Sequence, residues 1–185
     1  MSDSQPNILV LGASSSGKSE FAEALAAQTE QTVVYVATAK VDPSDREWQA
    51  KIIKHQRRRP SSWQTVALSD ELSSYIERGK ESECLLIDSL GTWTANFLES
   101  DRQLWQQKCD RLVFSLQVSK AKVILVAGET GWGIVPAYAS GRLFRDRLGY
   151  LSRQIASIVD VTYLVAGGHI LNLSLLGEPL SKYKI

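Results

Sequence analysis

The sequence is poor in cysteine and histidine, and it has no long apolar run. Its two cysteines, Cys84 and Cys109, show no metal-binding spacing within the 185 residues. That excludes a disulfide-stapled scaffold and a thiolate zinc site, and a reduced, cytoplasmic setting follows as the expectation. No apolar stretch reaches the roughly 18 residues of a membrane span, so no transmembrane segment is expected. The opening MSDSQPN is polar and lacks the basic-then-apolar layout of a signal peptide. Charge of one sign is missing too: 21 Lys and Arg against 20 Asp and Glu leave a formal net charge of +1. Nothing global therefore draws the chain to nucleic acid or an anionic membrane, and no nucleic-acid partner is expected. Internal repeats, low-complexity tracts and linkers are absent as well. A single nucleotide-binding domain over 1–185 is expected from this length.

What is present is concentrated near the start. Ile8 to Leu11 is a short apolar run, and Gly12, Ala13, Ser14, Ser15, Ser16, Gly17, Lys18 and Ser19 follow it as GASSSGKS. This matches the phosphate-loop pattern G-x-x-x-x-G-K-[ST] at every fixed position, in the required strand–loop–helix setting. The glycines let successive backbone N–H groups face phosphate oxygens, and the next helix adds its positive end. Lys18 is expected to reach the β- and γ-phosphates, and the Ser19 hydroxyl to ligate Mg²⁺. The chain is expected to bind a nucleoside triphosphate.

Further along, short continuous apolar runs alternate with helical patterns. Thr32–Ala37, Cys84–Asp88, Lys122–Ala127, Val161–Ala166 and Ile170–Leu175 read as strands, with Gln64–Leu68 as a shorter one. Helices are predicted over 20–27, 46–58, 70–78, 93–98, 104–118 and 142–158. The 46–58 helix carries Trp48, Ile52 and His55 at helical spacing and is ended by Pro60. Continuous apolar strands between amphipathic helices imply an α/β fold around a mainly parallel sheet.

Three further features carry chemistry. Asp88 ends an apolar strand in the manner of a carboxylate that shares Mg²⁺ with Ser19; the plainer alternative is a helix cap. Lys54-His55-Gln56-Arg57-Arg58-Arg59-Pro60 is a basic run in a charge-balanced chain. It reads either as a solvated helix face or as a phosphate-neutralising cluster whose histidine acts as nucleophile or acid–base group. Gly128 to Pro136, GETGWGIVP, is a glycine-rich loop after a strand, where α/β proteins place ligands, and Glu129 is its titratable group, a candidate for a substrate loop. The other histidine, His169, reads as structural or superficial.

These segments, in this order, resemble one family. GASSSGKS, YVATA (35–39), KHQRRRP (54–60) followed by Trp63, LLIDSLGTW (85–93), GETGWGIVP (128–136) and RLFRDRLG (142–149) are together similar to the bifunctional adenosylcobinamide kinase / adenosylcobinamide-phosphate guanylyltransferases of cobalamin biosynthesis. The resemblance implies a RecA-like phosphate-loop fold and two reactions. Adenosylcobinamide is phosphorylated with ATP or GTP, and GMP is then transferred from GTP through a guanylyl-histidine to give adenosylcobinamide-GDP. It implies that His55 is the guanylylated residue and that Lys18 is catalytic. It further implies that Gly12 to Ser19, Ala37, Thr38, Ala39, Gln56, Arg57, Arg58, Arg59 and Asp88 contact nucleotide, and that the chain forms homotrimers. Gly128, Ala67 and Ser152-Arg153 stand where the family commonly carries Asn, Glu and an Asn-Gln pair. A kinase-only member and a nucleotide-dependent switch module are the alternative readings.

Overall fold

The computed structural model describes residues 6–40 and 59–183, without the side chain of Ser181. The expected helix over 46–58, with His55, Gln56, Arg57 and Arg58, lies outside the described residues.

Among the described residues seven strands form one sheet in the order β3-β2-β4-β5-β1-β6-β7. In chain order these are β1 (Ile8–Gly12), β2 (Thr32–Ala37), β3 (Gln64–Ala67), β4 (Glu83–Asp88), β5 (Lys122–Gly128), β6 (Val161–Ala166) and β7 (His169–Asn172). Every neighbouring pair is parallel except β6–β7. The helices are α1 (Lys18–Ala27), α2 (Leu72–Glu77), α3 (Leu90–Ala95), α4 (Arg102–Val118), α5 (Ala139–Ala156) and the single turn α6 (Leu173–Leu176).

The continuous apolar runs are explained by burial on both faces. Side chains alternate along a strand, so β4 sends Leu85 and Ile87 to one face and Cys84 and Leu86 to the other. The first face packs on α2, α3, α4 and α5 through residues such as Leu72, Trp93, Leu112 and Leu151. Trp93 is its largest fully buried side chain, in ring contact with Phe97 and Trp105. The second face packs on Ala22 and Ala26 of α1, with Phe21 edge-on to Tyr163.

Several expected boundaries move by a few residues, two of them for a clear local reason. Helix α3 begins at Leu90 rather than Trp93, because Ser89 and Thr92 cap it reciprocally, side chain to backbone in both directions. The last strand stops at Asn172 rather than reaching Leu175, since the Asn172 Oδ1 accepts the Leu175 amide and starts a helical turn. That strand is also a hairpin partner of β6: Gly167 and Gly168 hold φ of +57° and +76°, the pair of left-handed residues a tight two-residue turn requires. Helix α5 begins earlier than Arg142, at Ala139.

Among the described residues, one buried charge has backbone carbonyls as its partners. Arg147, 8% exposed, donates to the carbonyls of Phe97 (2.6 Å) and Ser100 (2.7 Å) beyond the end of α3. It thereby supplies donors to backbone acceptors that the helix cannot satisfy itself.

Candidate nucleotide site

The site lies at the carboxyl ends of β1, β5, β4 and β2. Strand β1 is the natural support for a phosphate loop, being paired on both sides and buried through Leu9 and Val10. Gly12 is required by space: a Cβ there would stand 2.5 Å from Ser16 Oγ and 2.7 Å from the Val165 carbonyl oxygen. Gly17 is required by conformation, with φ of +93° at the entry to α1. Ser15 also adopts a positive φ, 58°. Ala13, Ser14 and Ser15 are exposed at the loop crest, while Ser16 to Ser19 are half-buried. The Lys18 ammonium donates to the Ala13 carbonyl at 3.1 Å, so the lysine arches over the loop it belongs to. Ser19 lies in the first turn of α1.

Strand β5 stands between the loop strand and β4. Its register sets Gly128 opposite Gly12, and Asp88 opposite Val126 and Ala37. The Glu129 amide donates to the Gly12 carbonyl at 2.9 Å, extending that pairing one residue into the next loop. Asp88 accepts the Tyr35 hydroxyl at 3.0 Å. Burial first, then the negative Asp88, pushes the Tyr35 pKa far up, so the tyrosine keeps its proton and remains a donor. Arg59 stacks on the same tyrosine ring, its guanidinium carbon 3.6 Å from the centroid, and donates to Thr65 Oγ1 at 3.2 Å.

Thr38 plays a part that sequence reasoning did not find. It is fully buried, and its hydroxyl donates to the Ser89 carbonyl (2.6 Å), accepts the Ser89 amide (3.0 Å) and lies 2.6 Å from Thr92 Oγ1. Asn96 Nδ2 donates to its carbonyl at 2.7 Å. The end of β2 is thus locked to the turn directly after Asp88. A threonine at a strand end carries no mark that distinguishes this work from ligand contact.

The structure therefore brings together Gly12 to Ser19, Ala37 to Ala39, Arg59, Asp88 and Glu129 at one edge of the sheet. Ala67 is at that edge too, exposed and paired with Ala37 on the outermost strand β3. At Gly128 a Cβ would meet only Thr130 Cγ2, at 3.9 Å, so the backbone there has room for a side chain. His169 is exposed, with Nδ1 2.9 Å from the Gly167 carbonyl, in the hairpin that follows β6, whose Val165 pairs with Gly12.

A phosphate loop between β1 and α1, with β5 inserted between it and a strand ending in a carboxylate, defines a RecA-like P-loop nucleotide-binding protein. Solved structures agree at the level of fold. A prototypical ATPase from the type III secretion system of pathogenic bacteria aligns with TM-score 0.55 at 12% identity, over 92% of this chain and 53% of that one. A Pyrococcus horikoshii OT3 protein aligns with TM-score 0.57 at 6% identity, over 91% and 85%. The chain belongs to the cobinamide kinase / cobinamide phosphate guanyltransferase family, whose sequence model matches residues 8–173. It is 39% identical to the bifunctional adenosylcobalamin biosynthesis protein CobP of Pseudomonas aeruginosa over 93% of this chain and 98% of the relative. The Escherichia coli K12 protein of the same description, CobU, is 35% identical over 87% and 96%.

Proposed function

We propose that this chain phosphorylates the hydroxyl of adenosylcobinamide with ATP or GTP, and then transfers GMP from GTP to the product, forming adenosylcobinamide-GDP. The observation that carries this reading is the tie between the basic run and the nucleotide edge. Arg59, four residues after His55 in sequence, rests on the Tyr35 ring, whose hydroxyl meets Asp88. Family membership and the word bifunctional in the names of the relatives support both halves over the kinase-only and switch alternatives.

In both halves the amides of Gly12 to Ser19 and the Lys18 ammonium hold the triphosphate, with Ala37, Thr38 and Ala39 forming the adjoining strand end. The donor set suits Mg²⁺: the Ser19 hydroxyl and the Asp88 carboxylate are hard oxygen ligands, and the Tyr35 hydroxyl donates to the carboxylate. Bound there, Mg²⁺ would offset charge on the phosphate oxygens. In the guanylyl half the neutral His55 imidazole attacks the α-phosphorus. A nitrogen–phosphorus bond forms, the bond to the bridging oxygen breaks, and pyrophosphate departs. Gln56, Arg57, Arg58 and Arg59 line this step, the arginines offsetting charge on the leaving group. An oxygen of adenosylcobinamide phosphate then takes the GMP and the nitrogen–phosphorus bond breaks.

We place this chemistry in the cytoplasm and in a homotrimer. No described helix is long and apolar enough to cross a membrane. A subunit contact is supported by the apolar side chains at the β7 edge, with Leu175 and Leu176 81% and 71% exposed. Light scattering on the purified protein reads the trimer directly.

The deciding experiment incubates the protein with Mg²⁺ and GTP labelled at the α-phosphate, then denatures it. Acid-labile label on the wild type and none on His55→Ala is expected. Full guanylyl transfer by His55→Ala would remove His55 from the mechanism.

A further inference from the structure

We propose that Glu129 is the general base of the kinase half, and of that half alone. This rests on the two-reaction reading above. The nucleophiles of the two reactions differ in one respect. Phosphorylation begins from an alcohol, whose proton must leave as its oxygen attacks. Guanylylation begins from a neutral imidazole, and the later transfer from a phosphate that is already anionic. One shared nucleotide site therefore needs a base in one reaction and not in the others.

Asp88 is committed to the Tyr35 hydroxyl and to the cation-holding role. Glu129 is held differently. Its own amide is bonded to the Gly12 carbonyl at 2.9 Å, which fixes its backbone about one strand spacing, roughly 4.8 Å, from the first glycine of the phosphate loop. Among the described residues its carboxylate is oriented by a single bond, the Gly131 amide to Oε1 at 3.0 Å. The second oxygen, Oε2, is left to accept a proton.

The loop that carries Glu129 is anchored at its far end as well. Arg142 donates to the carbonyls of Pro136 (3.0 Å) and Ala137 (2.7 Å). At Gly141 a Cβ would come within 2.8 Å of Pro136 Cβ, so the loop lies directly on α5. Between these anchors Trp132, Ile134 and Val135 are 73%, 96% and 59% exposed, and Tyr138, just past the second anchor, is 80% exposed. An acceptor with a broad, partly apolar body, as a corrinoid has, rests on this crown and presents its hydroxyl toward Glu129 and the γ-phosphate. In the step itself the hydroxyl proton passes to Glu129 Oε2 as the oxygen bonds to the γ-phosphorus. The bond from that phosphorus to the β–γ bridging oxygen breaks, and the nucleoside diphosphate leaves with the electron pair.

The test measures three rates on wild type and E129Q: phosphorylation of adenosylcobinamide, covalent labelling by α-labelled GTP, and GMP transfer to adenosylcobinamide phosphate. Loss of a general base predicts a fall of about 10²–10⁴-fold in kinase kcat. Labelling and transfer are expected to stay within about twofold, as is the KM for ATP. Kinase activity within about threefold of wild type overturns the proposal, and so does a parallel fall in all three rates. Should E129Q fold poorly, the wild-type pH profiles decide. An acid limb in phosphorylation that is absent from GMP transfer supports the base, and the same limb in both refutes it. A wild-type protein that neither labels nor phosphorylates would instead sink the underlying two-reaction reading.

Discussion

Replacing Thr38 with valine keeps the volume and removes the hydroxyl that joins β2 to the turn after Asp88. Three bonds are lost: to the Ser89 carbonyl, from the Ser89 amide and with Thr92 Oγ1. Each contributes about 0.5–1.5 kcal/mol net. Neither Ser89 group is orphaned, however. Thr92 Oγ1 stands 3.2 Å from the Ser89 amide and 3.0 Å from its carbonyl, and the Trp93 amide also reaches that carbonyl. The cost should therefore sit in the lower part of the range, about 1–2 kcal/mol, which for a chain of this size lowers the melting temperature by about 2–8 °C. Thr38→Ser should stay near wild type. Adding Thr92→Val to Thr38→Val removes the substitute partner of the Ser89 amide. The double variant should then exceed the sum of the singles by about 1 kcal/mol or more, the penalty of an unmet buried donor. Denaturant unfolding of the four proteins, with nucleotide affinity measured alongside, reads the cycle. Additive effects, or a Thr38→Val protein of unchanged stability that has lost nucleotide affinity, would refute the assignment of this hydroxyl to the fold.

Three other outcomes follow from the geometry. Lys18→Ala removes a cation with charge-assisted bonds to phosphate and should weaken triphosphate binding by about 10–100-fold while stopping both reactions, from about 1.5–3 kcal/mol per such bond; equilibrium nucleotide titration checks it, and unchanged affinity would displace the site. Gly12→Ala must push aside Ser16 Oγ and the Val165 backbone, which should cost about 1–3 kcal/mol of stability, read by thermal melting. Burial pushes the Cys84 thiol up to about 11 and the Cys109 thiol up to about 12, from an ordinary value of 9.0. The folded chain then keeps protons that the unfolded chain surrenders, so the thiols' contribution should be level below about pH 8 and stability should fall from about pH 9 upward. Cys84→Ala should flatten that fall in pH-dependent denaturant curves.

The Glu129 and Thr38 positions show where sequence reading stops. Neither type at its place separates a ligand contact from a structural bond; only register does, by setting Gly128 beside Gly12 and the end of β2 beside Ser89. The onset of α3 at Leu90 was legible in principle, because Ser89-Leu-Gly-Thr92 is a local capping signal. The burial of Arg147 was not, since a basic residue on a helix ordinarily faces water and its partners are carbonyls some 50 residues earlier.

What the sequence alone determined is what short-range chemistry dictates. The phosphate loop is contiguous, its glycines and Lys18-Ser19 are fixed by spacing, and apolar runs specify buried strands without reference to their neighbours. The α/β class and the family follow from these. Tertiary structure decided the order of the strands and thus everything that meets across them: β5 between the loop and Asp88, Tyr35 on Asp88 under Arg59, Glu129 tied to Gly12. The physical reason is that strand order is chosen by the packing of whole faces against helices. That energy is spread over many residues far apart in the chain, and no local pattern records it.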